Sequence, residues 1–145
     1  MFANEQRGVA VFMQFEKYLS PIKETTLNNG DTKDIIPKRY TPLTEVSFYI
    51  LMALREERHG YEIMQWAHTV TDGEVELQGG TLYNSLARLE RDGLIHMTRE
   101  GDRRKYYHIT EFGLKVLGIE CVRLERIYKN SRDMTWKSKR PNKAG

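Results

Sequence analysis

The chain has 145 residues, a net charge of +3, a mean hydropathy of −0.63 and 39% apolar residues. This length suits one domain, or one domain with an extension, and the lack of any apolar run of about 18 residues argues against a membrane-spanning helix. Cys121 is the only cysteine, which excludes an internal disulfide and a multi-cysteine zinc site. The first residues lack the basic and apolar blocks of a secretory signal, so we expect a cytoplasmic protein with no membrane partner.

Residues 1–41 are predicted to be an N-terminal extension. Apolar residues between positions 4 and 19 are compatible with a short helix, but no cap marks its start, so helix and irregular chain are both left open. Residues 20–41 are polar and contain Pro21 and Pro37, as is typical of a mobile linker.

A winged-helix domain is predicted over residues 42–110. Its first helix begins either at Thr41-Pro42, an N-cap followed by a first-turn proline, or at the alternative cap Thr44. A second helix begins near Gly60, and we interpret His59 as part of the turn that enters this helix.

The stretch from residue 82 to residue 110 carries most of the functional signal. It begins with a third helix that has a leucine face and a polar, partly cationic face. The leucines are Leu82, Leu86 and Leu89, and the polar residues are Thr81, Asn84, Arg88 and Arg91. Asp92-Gly93 then indicates a helix stop, because glycine readily adopts the left-handed conformation that ends helices.

Two alternating segments, 95–99 and 105–109, follow this helix and predict a hairpin with a basic tip. A polar helix face beside a basic hairpin suits a protein that reads a DNA groove and holds phosphate with its wing. The charge distribution agrees with this interpretation. Residues 41–80 carry two basic and seven acidic residues, whereas residues 81–110 carry six and four, and residues 129–145 carry six and one.

A long helix is predicted over residues 111–133, capped by Thr110 and on the order of 35 Å long. Five residues at a 3-4-3-4 spacing form one apolar stripe: Leu114, Leu117, Cys121, Leu124 and Tyr128. A neighbouring stripe makes the apolar surface wider than one small domain can cover, so we expect one stripe to contact the domain and the other a second copy of the chain. Residues 134–145 are predicted to be a basic tail. The predicted fold class is therefore α+β, mainly α: a winged helix-turn-helix with a two-stranded wing and a long C-terminal dimerisation helix.

From residue 43 to about residue 128 the chain resembles the PadR-like transcriptional regulators. The matching segments are Phe48-Tyr49-Ile50-Leu51 with Leu54, His59-Gly60-Tyr61-Glu62-Ile63, Gly80-Thr81-Leu82-Tyr83, Arg88-Leu89-Glu90 with Asp92-Gly93-Leu94-Ile95, Arg103-Arg104-Lys105-Tyr106-Tyr107, and Ile109-Thr110-Glu111 with Gly113. Each segment is weak alone, but their order is highly specific. The resemblance implies a homodimeric repressor that binds a palindromic operator and releases it when a small-molecule effector arrives. The short C-terminal part is similar to that of the shorter subgroup of the family.

Candidate contacts with double-stranded DNA fall into three sets. Thr81, Asn84 and Arg88 are predicted to reach base edges, the alternative being a solvated helix face. Arg103, Arg104 and Lys105 are predicted to hold phosphate or enter a minor groove, the alternative being a solvated turn. Tyr61, Tyr83 and Tyr107 either donate hydroxyl hydrogen bonds to phosphate or pack at the edge of the core.

Trp66 and Phe112 are the predicted contacts for a small aromatic effector, although core packing is the competing interpretation for Trp66. The histidines show no metal-ligand spacing, and we expect no metal and no cofactor. No Gly-rich phosphate loop or nucleophile elbow is present, so we do not expect an enzyme. The acidic first half of the domain favours one alternative function, a winged-helix module that binds proteins and does not read DNA.

Overall fold

The computed structural model describes residues 40–133. Within this range the chain forms, in order, α1 (Glu45–Ala53), β1 (Arg58–His59), α2 (Gly60–Val70), α3 (Gly79–Arg91), β2 (Ile95–Gly101), β3 (Arg104–Ile109) and α4 (Glu111–Asp133). Three short helices, a hairpin and a final long helix confirm the predicted mainly helical winged-helix class. The predicted helix at 4–19, the linker up to residue 39 and the basic tail at 134–145 lie outside the described residues.

The first helix begins at the second of its two predicted starts. Thr44 is the N-cap, and its hydroxyl oxygen accepts a hydrogen bond of 3.1 Å from the backbone N–H of Ser47. This bond satisfies one of the N–H groups that have no partner within the helix. The predicted start at Thr41-Pro42 is therefore wrong, and the alternative start is confirmed.

The three strands form an antiparallel sheet in which β3 lies between β1 and β2. β1 was not predicted, because two residues are too few to show the alternation that marks a strand. The hairpin closes with the pair Gly101–Arg104, which leaves Asp102 and Arg103 as a two-residue turn with φ of 51° and 62°. Positive φ at both turn residues gives the twist that matches the flanking strands of a hairpin. Arg103 thus lies at the outermost point of the wing.

The core lies between the helices and the base of the sheet. The predicted leucines of α3 are buried there, together with Ile50 and Leu51 of α1 and Ile63 of α2. The sheet contributes only its lower end, because Ile95 is the one buried residue of β2 and Ile109 the one buried residue of β3. Apart from the half-buried Tyr107, which packs against this core, the rest of the hairpin projects from it.

The start of α4 is fixed against the end of α3. The Thr110 hydroxyl donates to the carbonyl oxygen of Gly93 at 2.7 Å and accepts from the N–H of Gly113 at 3.0 Å, which confirms Thr110 as the predicted cap. At Gly113 the backbone lies so close to the carbonyl oxygen of Leu94 that an added Cβ would overlap it. A glycine is therefore required where α4 crosses the chain leaving α3.

Part of the predicted dimerisation stripe is covered by the chain's own domain. Leu117 and Cys121 are 0% and 3% exposed in the single chain, because the core of their own domain covers them. Leu114 is half-buried against the same core. Beyond Cys121 the helix leaves the core, and its large apolar side chains are exposed, namely Val122, Leu124, Ile127 and Tyr128. Of the described helices, none is long and apolar enough to cross a membrane.

Candidate nucleic-acid interface

A groove of about 590 Å³ separates the hairpin from the helices before it. The start of α2 and one side of α3 form one wall, and the hairpin forms the other. Six of the nine side chains predicted to contact DNA line this groove: Tyr61, Tyr83, Arg103, Arg104, Lys105 and Tyr107. The remaining three predicted contacts, Thr81, Asn84 and Arg88, lie elsewhere on the exposed surface of α3.

Two tyrosines present their rings on the helical wall of the groove. Tyr61 is 57% exposed and Tyr83 is 61% exposed, so neither is a core residue. The Tyr83 ring rests on the first residue of α2, since a Cβ built at Gly60 would lie 3.1 Å from the Tyr83 hydroxyl oxygen. The close approach of Tyr83 to Gly60 therefore brings the two helices together at this wall.

A third tyrosine lines the hairpin wall. Burial raises the pKa of the Tyr107 hydroxyl above its ordinary value, and the nearby carboxylate of Glu90 raises it further, followed by Tyr83 and Glu100. A tyrosine hydroxyl is protonated at neutral pH even at its ordinary pKa, so Tyr107 can donate a hydrogen bond to an anionic ligand, and the raised pKa extends this to more alkaline pH.

The charge of the groove is mixed but mainly positive at the tip. Arg103, Arg104 and Lys105 are exposed on the hairpin, while Glu90 and Glu100 lie along the same groove. Flexible exposed cations at a hairpin tip suit the phosphate backbone, which carries charge without sequence information. Glu100 pairs directly with Lys105 beside the tip, whereas the Glu90 carboxylate lies on the α3 wall, where it repels phosphate.

The outer face of α3 carries the candidates for base contacts. Thr81 and Asn84 are exposed, opposite the buried Leu82 and Leu86. Arg88 is also exposed, but its Nη2 donates a hydrogen bond of 3.1 Å to the Ser47 hydroxyl at the start of α1. A base contact by Arg88 would therefore require its guanidinium to leave or share this bond. The contact between Arg88 and Ser47, 41 residues apart in sequence, gave no signal in the sequence.

His59 lies at the edge of the groove and begins α2. Its Nδ1 accepts from the backbone N–H of Glu62 at 3.4 Å, and the Glu62 carboxylate accepts from the His59 backbone N–H at 3.1 Å. This reciprocal capping box confirms the predicted helix-entry role of His59. Among the described residues, no cluster of three or more His, Cys, Asp or Glu side chains could hold a metal ion.

The two predicted effector residues do not come together in either cavity described here. Trp66 is half-buried, with the Arg58 guanidinium 5.8 Å from its ring centre, and Phe112 packs edge-on against Tyr40 at 5.4 Å. Neither residue lines the groove or the second cavity, of about 700 Å³, between the end of α2 and the start of α3. Core packing, the competing interpretation of Trp66, agrees with its placement.

The sequence and fold of the chain are similar to those of known transcriptional regulators. Residues 50–119 match the model of a family described as the transcriptional regulator PadR-like family. An uncharacterized protein of Lysinibacillus sphaericus is 34% identical over 71 residues, which cover 46% of this chain and 65% of that protein. A transcriptional regulator from Clostridium thermocellum is 30% identical in a solved structure, with a TM-score of 0.56 over 62% of this chain and 89% of that one. A PadR family transcription regulator from Clostridium difficile is 28% identical, with a TM-score of 0.53 over 62% and 97% of the two chains.

The helices, the hairpin and the groove between them define a winged-helix protein of the transcription-regulator class. The chain belongs to the PadR-like family of transcriptional regulators. This confirms the resemblance inferred from the sequence and agrees with the prediction that the protein is not an enzyme.

Proposed function

We propose that the protein regulates transcription by binding double-stranded DNA, with α3 in the major groove and the hairpin on the neighbouring phosphate backbone. The observation that carries this proposal is the groove itself. It brings three hairpin cations and three tyrosines beside α3, whose exposed face next to the groove carries Thr81 and Asn84. Backbone contacts of this kind fix the orientation of a recognition helix, and short polar side chains on the helix can then read base edges.

A homodimer on two inverted half-sites is the second part of the proposal. The outer half of α4 exposes four large apolar residues along its free length, and Leu124, Ile127 and Tyr128 are 37%, 46% and 50% exposed. Pairing this surface with its copy would remove it from water and place two winged helices side by side. A symmetric dimer requires a palindromic operator, with half-sites about one helical turn apart or a multiple of it.

Repression relieved by a small molecule is the third part, and it rests on the family resemblance. An effector releases DNA only if it prefers the shape of the dimer that does not bind DNA, and such preferences are typically about 1–3 kcal/mol. Titration with planar aromatic compounds, while tryptophan fluorescence and DNA affinity are followed together, tests this part. Quenching without a change in DNA affinity would contradict it.

The DNA-binding proposal is tested by titrating the wild-type protein against a mixed-sequence duplex in increasing salt. A steep linear fall of log K with log salt is expected, because bound cations release counterions from the duplex. Selection from a random duplex library should then return an inverted repeat. An affinity independent of salt would contradict DNA binding and favour the protein-interaction module.

A further inference from the structure

The outer face of the sheet carries a contiguous stack of side chains from all three strands. Tyr106 of β3 pairs directly with His59 of β1 on one side and with Arg99 of β2 on the other. Directly paired residues of neighbouring strands project to the same face, so these three side chains lie in one row. Tyr107, the next residue along β3, projects to the opposite face and lines the DNA-binding groove.

Close contacts join the members of this row. The Arg99 guanidinium carbon lies 3.6 Å from the centre of the Tyr106 ring, well within the range of a cation–π contact. On its other side the Tyr106 ring meets the His59 ring edge-on at 5.2 Å. His59 in turn has its Nε2 3.4 Å from Nη1 of Arg104, one of the wing-tip cations. The row therefore runs from β2 across the sheet to the wing tip and to the cap of α2.

Glu57 attaches the row to the rest of the domain. This residue lies between α1 and β1, and its Oε1 accepts a hydrogen bond of 2.8 Å from Nε of Arg99. Hydrogen bonds from Arg99 first, and from Thr98 second, lower the pKa of the Glu57 carboxyl below its ordinary value. A register shift between Met97 and Arg99 brings Arg99 opposite Tyr106 and within reach of Glu57.

The wing depends on such attachments because it lacks apolar support. Beyond Ile95, every residue of β2 is exposed, and β3 is exposed over its first two residues. The apolar core therefore meets the hairpin only at its base and at the half-buried Tyr107, and the outer hairpin depends on polar contacts for its angle relative to α3. The ion pair between Arg99 and Glu57 is a direct side-chain bond from β2 to the segment that follows α1.

We propose that Arg99 is a positioning residue for the DNA interface. With Glu57 and Tyr106 it sets the angle of the wing, and so the place of Arg103 and Arg104 on the phosphate backbone, without itself touching DNA. The inference rests on the proposed DNA-binding function. A wing released from this anchor samples more orientations, and the affinity falls in proportion to the fraction of molecules that keep the binding orientation.

The Glu57→Gln variant distinguishes anchoring of Arg99 from the general effect of removing a negative charge. Removing a carboxylate from a DNA-binding protein should strengthen binding if only charge matters. If Glu57 anchors Arg99, the same change should weaken binding to a mixed-sequence duplex by about two- to fivefold, the fold-change that accompanies loss of an exposed ion pair. It should also flatten the salt dependence, because the wing cations meet phosphate less often. Arg99→Gln should give a similar loss, and the double variant should lose little more than either single variant.

Glu74→Gln is the matched control, since it removes the same charge from an exposed residue between α2 and α3. It should bind as tightly as the wild type or slightly tighter. Glu57→Gln that binds like this control would overturn the proposal. So would an Arg99→Gln variant that loses affinity while Glu57→Gln gains it, because that pair of results makes Arg99 a phosphate contact.

Hydrogen exchange in the absence of DNA gives a readout independent of the proposed function. Backbone amides of the β2–β3 hairpin should exchange faster in Glu57→Gln and Arg99→Gln than in the wild type or in Glu74→Gln, while amides of α3 keep their protection. Unchanged hairpin exchange would overturn the anchoring role even if DNA binding holds. A third outcome is faster hairpin exchange in the two variants combined with a wild-type protein that shows no salt-dependent DNA binding. This outcome would support the anchoring role and overturn the proposed DNA-binding function.

Discussion

Removing two cations from the wing tip should flatten the salt dependence of DNA binding by a calculable amount. The variant is Arg103→Ala with Lys105→Ala. Arg104 is retained because its guanidinium contacts His59, which caps α2. Each cation that neutralises a phosphate contributes about 0.9 to the slope of log K against log salt, so the double variant should lose about 1.8 of that slope. Over a fourfold rise in salt, the wild type should then lose roughly 12-fold more affinity than the variant.

Fluorescence anisotropy of a labelled mixed-sequence duplex, measured at several salt concentrations, provides both slopes. The control variant is Lys115→Ala with Arg126→Ala, which removes the same net charge from exposed positions on α4. This control should lower affinity slightly and leave the slope within error of the wild type. An unchanged slope in the wing variant, or an equal decrease in the control, would show that the wing tip does not touch phosphate.

Three further substitutions test the recognition helix, the dimer and the fold. Asn84→Ala should cost about 1–3 kcal/mol on a selected operator and less on random DNA if Asn84 reads a base, and equal losses on both would make it a backbone contact. Leu124→Glu would bury an unpaired charge between subunits at a cost of several kcal/mol, so sedimentation velocity should show a monomer, and an intact dimer would refute the proposed interface. Gly113→Ala should lower the free energy of unfolding in urea by about 1–3 kcal/mol or more, because its Cβ would overlap a backbone oxygen. Gly80→Ala, whose added methyl would meet no atom within 4 Å, should leave stability unchanged or raise it by up to about 1 kcal/mol.

Helices with a clear apolar periodicity or a local cap were predictable from the sequence. The surfaces against which they pack were not. The leucines of α3 are buried as expected, and Thr110 caps α4 as expected, because both signals are local. Leu117 and Cys121 were assigned to a dimer because their spacing places them on one helix face. Spacing shows which residues share a face, but it does not show whether the same domain or a second chain covers that face. In the single chain, the core of their own domain covers these two residues.

Most residues that line the groove were predictable from the sequence, but the contacts that hold them in place were not. Alternation in β3 placed Lys105 and Tyr107 on one face, so the hairpin wall could be anticipated. The row of Arg99, Tyr106 and His59 depends on the register of three strands, one of which is two residues long and left no pattern. The bond from Arg88 to Ser47 likewise joins distant parts of the chain. Contacts of this kind follow from packing, which single-sequence periodicity does not encode.

At the wing tip, the backbone conformation that favours stability and the side chain that favours DNA binding require different residues. Arg103 has a φ of 62°, a conformation that costs a residue with a Cβ about 1–2 kcal/mol and glycine almost nothing. Glycine there would make the hairpin easier to form, but it would remove the cation that reaches farthest from the domain. Arg103→Gly is therefore expected to raise the thermal stability of the protein and to lower its affinity for DNA. At this one position, the residue that best completes the turn differs from the residue that best meets a phosphate.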